Sequence, residues 1–134
     1  MTVLQYIYLY LLTIPVFVLG DLLWLGVIAR NFYQEKLEHL LGAVQWPAAI
    51  VFYFIYTAGI LYFTVLPELD SGSVIRVFLI GALLGFFAYA TYDLTNMATL
   101  RDWPLVVVVV DIIWGAVLTG SVASVSYLIG RAIL

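Results

Sequence analysis

Long apolar runs separated by short polar stretches are the main pattern of the chain. A helix needs roughly 20 residues to cross a hydrocarbon layer of about 30 Å. Four runs reach that length, at about 4–29, 47–66, 74–98 and 104–130. The pattern therefore predicts four transmembrane helices.

Two Trp-Pro pairs stand where the second and fourth runs begin, Trp46-Pro47 and Trp103-Pro104. A proline in the first turn of a helix removes no hydrogen bond, because amides there have no acceptor within the helix. Tryptophan favours the headgroup layer of a membrane. Each pair therefore predicts a point where the chain re-enters the bilayer.

The segment 31–45 between the first two spans has a different pattern. Its apolar residues recur at roughly helical spacing, whereas its charged and amide residues fall on the opposite face. The apolar set is Phe32, Leu37, Leu40, Leu41 and Val44, and the polar set is Gln34, Glu35, Lys36, Glu38 and His39. This pattern predicts a short interfacial amphipathic helix.

The remaining connections, 67–73 and 99–103, are short, so helices that follow one another should be antiparallel neighbours. The predicted fold is an all-α integral membrane protein, a single transmembrane domain over 1–134 with an up-down-up-down four-helix bundle. A weak internal repeat adds detail, since Asp21-Leu22-Leu23-Trp24 and Asp93-Leu94-Thr95-Asn96 end corresponding spans. It suggests two parallel hairpin repeats.

Composition agrees with lipid as the main surroundings of the chain. Of 134 residues, 66% are hydrophobic and 10% are charged, against about 25% charged in an ordinary soluble domain. The net charge of -3 is scattered, so no basic patch favours nucleic acid. We expect the lipid bilayer as a partner, together with other membrane subunits or self-association.

The lack of cysteine and the scarcity of histidine limit the catalytic and metal-binding chemistry open to the chain. The chain has no cysteine and a single histidine, His39. Thiolate nucleophiles, iron–sulfur clusters and Cys-ligated zinc are thereby removed, and no second imidazole exists to complete a haem or compact metal site. We expect no cofactor and no metal, and the set of catalytic residues is incomplete.

Three aspartates interrupt the predicted spans: Asp21, Asp93 and Asp111. Alternating topology places all three toward one membrane face, about 8–13 Å from their helix ends at 1.5 Å per residue. A carboxylate at the centre of a span costs about 2.5–3.5 kcal/mol, and such groups face the bundle interior and find partners. We therefore predict a polar intramembrane cluster, structural or ligand-binding.

Other polar and aromatic residues on neighbouring turns complete this cluster: Trp24, Tyr89, Tyr92, Thr95, Asn96 and Trp114. The aspartates can be stabilised by protonation, by hydrogen bonds from these residues, or by an arginine. Arg30 and Arg101 lie just beyond the corresponding helix ends and are candidate charge partners. Sequence alone leaves these three alternatives open.

Small residues predict where the last two helices approach each other. Gly81 and Gly85 share a stripe with Tyr89 and Asp93 in the third span, while Gly115 lies four residues after Asp111 in the fourth. Glycines four residues apart allow close backbone contact in membranes. We expect the two stripes to pack together.

Several strings resemble a known family. They are Ala90-Thr91-Tyr92-Asp93-Leu94-Thr95-Asn96-Met97-Ala98, Asp111-Ile112-Ile113-Trp114-Gly115, Asp21-Leu22-Leu23-Trp24-Leu25-Gly26 and Trp46-Pro47-Ala48-Ala49. The chain resembles, over nearly its whole length, the bacterial domain-of-unknown-function family 2177 of small membrane proteins. The resemblance implies four helices in a bacterial inner membrane and brings no established activity.

Three functions remain in competition at this level. The first is an accessory or structural subunit that docks on a larger membrane complex through its helix faces. The second is a small carrier or ion-linked permease that uses the aspartate cluster. The third is a lipid-acting membrane enzyme with an aspartate base and an arginine that holds phosphate, which lacks a metal signature and an activated nucleophile.

Overall fold

The computed structural model describes residues 1–70 and 72–134. Ser71, within the predicted connection 67–73, lies outside the described residues. Helix α1 covers Val3–Leu23 and continues as a π-helical turn, Trp24–Ile28. Helix α2 is Arg30–Lys36, and α3 is Trp46–Ile60, followed by a π-helical turn, Leu61–Val65, and a 3₁₀ turn, Leu66–Glu68. Helices α4 and α5 are Val74–Thr99 and Leu105–Ile133.

Four helical stretches are long and apolar enough to cross a membrane. They are Val3–Ile28, Trp46–Glu68, Val74–Thr99 and Leu105–Ile133. Over the two described ranges the chain contains no strand. The predicted fold class, an all-α four-helix membrane bundle, is confirmed.

Local sequence explains where the spans begin. Thr2 and Gln5 form a capping box at the start of α1, in which each side chain bonds the backbone N–H of the other residue. The Ser73 hydroxyl accepts the backbone N–H of Arg76 at the start of α4. Helix α5 starts directly after Pro104, and Pro47 lies in the first turn of α3, as the Trp-Pro pairs predicted.

The amphipathic helix between the first two spans is present but much shorter than predicted. It ends at Lys36 rather than reaching residue 45. The face that packs is formed by Ala29, Tyr33 and Leu37, which are buried against Val107 of α5. Beyond Leu37, the leucines and the valine assigned to an apolar face are exposed.

Helix α5 is central to the bundle. It packs closely along α4, and it also contacts α1 and the π-helical turn after α3. A β-carbon on Gly81 would lie 2.9 Å from that of Ala123, and one on Gly85 would meet the carbonyl oxygen of Gly115. The structure thus places the two predicted small-residue stripes against each other, close enough that larger residues would separate the helices.

Hydrogen bonds between side chains and backbone tie one end of the bundle together. Gln5 Nε2 donates to the carbonyl of Ile133 at 2.9 Å, which joins the start of α1 to the end of α5. The Tyr127 hydroxyl donates to the Gly72 carbonyl at 2.8 Å. Arg131 Nη1 donates to the Leu69 carbonyl at 2.7 Å. We call this the closed end.

The opposite end carries the connections α1–α3 and α4–α5. The turn after α4 is tight, with Asp102 at a φ of 56°, a conformation in which aspartate is several-fold enriched. His39 Nε2 lies 3.1 Å from the Asp102 carbonyl oxygen, so the two connections meet. This arrangement brings Trp103 and α2 over the same region of the bundle.

Candidate binding cavity

A partly open cavity of about 550 Å³ lies at the end of the bundle opposite the closed end. Its wall comes from all four spans, from α2 and the chain that follows it, and from the turn before α5. Two carboxylates and eight aromatic side chains share this wall with five aliphatic residues. The lining residues are Asp21, Leu25, Tyr33, Leu37, Leu41, Ala49, Phe52, Tyr53, Tyr56, Ala88, Tyr89, Tyr92, Trp103, Asp111 and Trp114.

Asp21 is held in the wall by a residue of α3. Asp21 is only 7% exposed, and the Tyr53 hydroxyl donates a hydrogen bond to its Oδ2 at 2.8 Å. The Tyr53 ring is itself fixed by edge contact with Phe17, at 5.2 Å between ring centres. A buried carboxylate needs such a donor, because an unsatisfied one is costly.

Asp111 ends a chain of hydrogen bonds that includes two lining residues of the cavity. The Trp24 indole N–H donates to the Tyr33 hydroxyl at 3.1 Å, and that hydroxyl donates to Asp111 Oδ1. Burial, and then Asp111, raise the pKa of Tyr33 well above its usual range, so the phenol stays protonated. This chain connects α2 to α5 beside the cavity.

Two tryptophans form a stacked pair in the same region. The rings of Trp24 and Trp114 lie 4.5 Å apart with an angle of 11° between their planes. Trp24 sits at the start of the π-helical turn that ends the first span. π-helical turns frequently occur at functional sites, and this one brings the Trp24 indole N–H to Tyr33.

Asp93 occupies a different environment from the other two aspartates. Its residue is fully buried, and neither carboxyl oxygen has a hydrogen-bond partner within the described part of the chain. Asp111 and Trp103 are its polar neighbours, and the Trp103 indole N–H is also buried without a partner. Asp93 lies behind the cavity wall rather than in it.

The structure brings together only part of the predicted cluster. Asp21, Tyr89, Tyr92, Asp111 and Trp114 line the cavity, and Trp24 and Asp93 adjoin it. Thr95 and Asn96 do not line it. Thr95 is exposed, and its hydroxyl donates to backbone carbonyls within α4, at 3.1 Å for the Tyr92 carbonyl. Asn96 is half-buried.

The arginines proposed as charge partners lie elsewhere. Arg30 and Arg101 are exposed, and neither lines the cavity. Within residues 1–70 and 72–134, the ion pair found joins Arg76 Nε to Glu68 Oε1 at 2.9 Å, near the closed end. Within the same ranges, no three carboxylate or histidine side chains are arranged to hold a metal ion.

Sequence reasoning missed the tyrosines that complete the site. Tyr53 and Tyr56 lie about one and a half to three turns inside the second span, which is the depth predicted for Asp21 and Asp111. The same depth argument, applied to tyrosines, would have found them. Tyr33 had a weaker signal, since only its spacing of four residues from both Ala29 and Leu37 marks it as buried.

Fold and site together define a class, a four-span membrane protein with a carboxylate- and aromatic-lined cavity near one end of its helix bundle. The chain belongs to the family described as predicted membrane protein DUF2177, whose model matches residues 6–128. All cavity-lining residues fall inside this match. No curated protein and no solved structure matches the chain.

Proposed function

We propose that this protein binds an amphiphilic organic cation in the cavity and serves as a small carrier for such molecules. One observation supports this most directly: two carboxylates face a largely aromatic cavity to which no described lysine, arginine or histidine contributes. The natural complement of such a site is a ligand that brings its own positive charge and an apolar body.

The size of the cavity suits a small organic molecule. Ligand pockets have volumes of about 300–1,000 Å³ and are mostly apolar, with a few polar groups that set orientation. The cavity has about 550 Å³, and Asp21 and Asp111 supply those polar groups. A hydrophobic tail would lie against Phe52, Leu25 and Leu41.

The chemistry of the wall favours a cation over a neutral or anionic ligand. Aromatic faces attract ammonium groups through their quadrupole, by about 0.5–2 kcal/mol each. A buried carboxylate without a counter-charge is unfavourable. Bound near Asp21 and Asp111, an ammonium group would offset both carboxylates and contact the rings of Tyr53 and Tyr89.

The test compares charged and uncharged probes of the same shape. Purified protein in mild detergent is titrated with 4-phenylbutyltrimethylammonium and with its neutral carbon isostere, and tryptophan fluorescence is followed, since Trp103 and Trp114 line the cavity. We expect saturable quenching by the cation alone. Asp111→Asn should weaken binding by roughly 10- to 100-fold, which corresponds to about 1.5–3 kcal/mol, at the lower end of the couplings of about 1.5–7 kcal/mol measured for close charge pairs.

A matched control comes from Asp70, an exposed aspartate near the closed end. Asp70→Asn has the same change in charge and should leave the affinity unaltered. Equal binding of the neutral isostere, or unchanged affinity in both Asp21→Asn and Asp111→Asn, would refute the proposal. Circular dichroism and gel filtration show whether each variant is folded.

We propose a bacterial inner membrane as the location of the protein, because the chain resembles a bacterial family. The next step of the proposal is transport of the bound cation. Four helices are few for alternating access, so a carrier of this size would act as a homodimer. Proteoliposomes loaded with the labelled cation should release it only when the protein is present. An Asp111→Asn preparation should fail to release it.

An accessory subunit is the second candidate, and one surface favours it. A shallow groove of about 210 Å³ between α1 and α5 is lined by Val16, Gly20, Val117, Ser121 and Val125, among others. Small residues let a neighbouring transmembrane helix approach closely. The proposed occupant is one apolar helix of a larger membrane complex.

Purification from the native membrane in mild detergent, followed by mass spectrometry, tests this candidate. A co-migrating subunit should be lost from Ser121→Trp but kept by Val109→Trp, which alters an exposed position on the same helix. Stable isolation of a lone monomer would count against it. The lipid-enzyme hypothesis stays a prediction without support from the site, because neither Arg30 nor Arg101 reaches the cavity.

A further inference from the structure

We propose that Asp93 and Asp111 bind one proton between them while the cavity is empty and release it when a cation occupies the cavity. The inference rests on the proposed function, because it assigns proton exchange to the same site. It makes the protein a proton-coupled exchanger of organic cations.

The first step of the argument is the isolation of Asp93. Both of its oxygens are buried without a hydrogen-bond partner, and no described basic residue forms an ion pair with it. A bare carboxylate in such surroundings costs several kcal/mol. A protonated carboxyl is neutral and has an O–H to donate.

Asp111 is the acceptor for that O–H. It neighbours Asp93 across the contact between α4 and α5, and its Oδ1 already accepts the Tyr33 hydroxyl. Two carboxyl groups at close range cannot both ionise easily, so they hold one proton as a pair. In that state Asp111 remains the charged member that faces the cavity.

The surrounding groups keep the pair from finding another counter-charge. Titratable side chains face it from α1, α2 and α4, and all of them are acidic or phenolic: Asp21, Tyr33, Tyr89 and Tyr92. Helix α3 contributes Tyr53, which faces Asp21. None brings a positive charge, so the charge of a bound cation is the change to which the pair responds.

A second unpartnered group can donate a hydrogen bond to Asp93 once its carboxyl group is ionised. The Trp103 indole N–H is buried beside Asp93 and has no acceptor, and a donated hydrogen bond stabilises a carboxylate. The protonated state uses Asp111 as acceptor, whereas the ionised state uses Trp103 as donor. Each state therefore has a neighbouring polar group that can become its hydrogen-bond partner after a small adjustment of the side chains.

The exchange balances in charge and atoms. Before binding, Asp93 is a neutral carboxylic acid and Asp111 a carboxylate. The cation then lies against the Asp111 carboxylate, the O–H bond of Asp93 breaks, and its electron pair stays on the carboxylate. The proton passes to water through the open side of the cavity. One monovalent cation is bound for one proton released.

The experiment measures protons and ligand together. Wild-type protein in weakly buffered mild detergent, with a pH indicator, receives the same phenylbutyltrimethylammonium probe. We expect up to one proton released per cation bound and, by reciprocal linkage, an affinity that rises with pH by at most about tenfold per pH unit. In Asp93→Asn proton release should disappear and the affinity should lose this pH dependence, while Asp70→Asn should behave as wild type.

A ligand-independent readout separates the two proposals. The infrared carbonyl band of a protonated carboxylic acid should be present in wild type and in Asp21→Asn, and absent from Asp93→Asn. Failure of the probe to bind, with this band present, overturns the carrier function and leaves the proton site standing. Binding without proton release at any pH from about 5 to 9, or an identical pH slope in Asp93→Asn, overturns the exchange.

Discussion

The close contact between α4 and α5 makes a sharp prediction for Gly85→Ala. A methyl group at this position would meet the carbonyl oxygen of Gly115 and lie 2.7 Å from Thr119 Oγ1. The first of these atoms is backbone, so a side-chain rotation cannot relieve the clash and the helices must separate. Gly59→Ala is the matched control, because no heavy atom other than those of its chain neighbours and its own helix backbone lies within 4 Å of its added β-carbon.

The expected magnitude follows from two opposing contributions. Overpacking a close contact costs typically about 1–3 kcal/mol. Replacing glycine by alanine in a helix gains up to about 1 kcal/mol, and this gain is common to both variants. The difference in free energy of unfolding between Gly85→Ala and Gly59→Ala should therefore be about 1–3 kcal/mol. A change of one or two kcal/mol alters the folded-to-unfolded ratio roughly 5- to 30-fold.

Reversible unfolding with a denaturing detergent, added to protein in mild-detergent micelles and followed by circular dichroism, measures this difference. The reasoning fails if Gly85→Ala is as stable as Gly59→Ala. An equal loss of stability in both variants would mean that a general cost of alanine, rather than the α4–α5 contact, is responsible.

Two further predictions use the same unfolding assay. Tyr53→Phe removes the hydrogen-bond donor of the buried Asp21 carboxyl group and should lower the free energy of unfolding by about 1–3 kcal/mol. A smaller loss of stability when Tyr53→Phe is combined with Asp21→Asn would identify this hydrogen bond as the cause. The hydroxyls of Thr13 and Ser126 lie 2.7 Å apart in the core. A double-mutant cycle with Thr13→Ala and Ser126→Ala should give a coupling energy of about 0.6 kcal/mol, the average for hydrogen bonds within membranes. A coupling energy of zero would contradict a direct hydrogen bond.

The sequence predicted those features that depend on one helix at a time. Span positions follow from the length of apolar runs, and the depth of Asp21 and Asp111 follows from the rise per residue. The stripe of Gly81 and Gly85 follows from helical spacing, since the two glycines lie one turn apart. Each of these needs no knowledge of how the helices are rotated about their axes.

Apart from the packing of the α4 and α5 stripes, features that depend on two helices together were beyond reach. The bond from Tyr53 to Asp21 requires a particular rotation of α3 against α1, which many apolar faces of a membrane helix would allow. The π-helical turns at Trp24–Ile28 and Leu61–Val65 leave no compositional sign. The packing of α2 depends on Val107, a residue of another helix that is buried with Ala29, Tyr33 and Leu37.

In the proposed transport cycle, the hydrogen bonds of the closed end would make the observed conformation the resting one. Three hydrogen bonds, from Gln5, Tyr127 and Arg131 to backbone carbonyls, must break before that end can open. At about 0.5–1.5 kcal/mol each, they amount to roughly 1.5–4.5 kcal/mol. The alternative conformer would then form a minority of some per cent or less. A ligand would move the protein toward it only by binding that rare conformer more tightly.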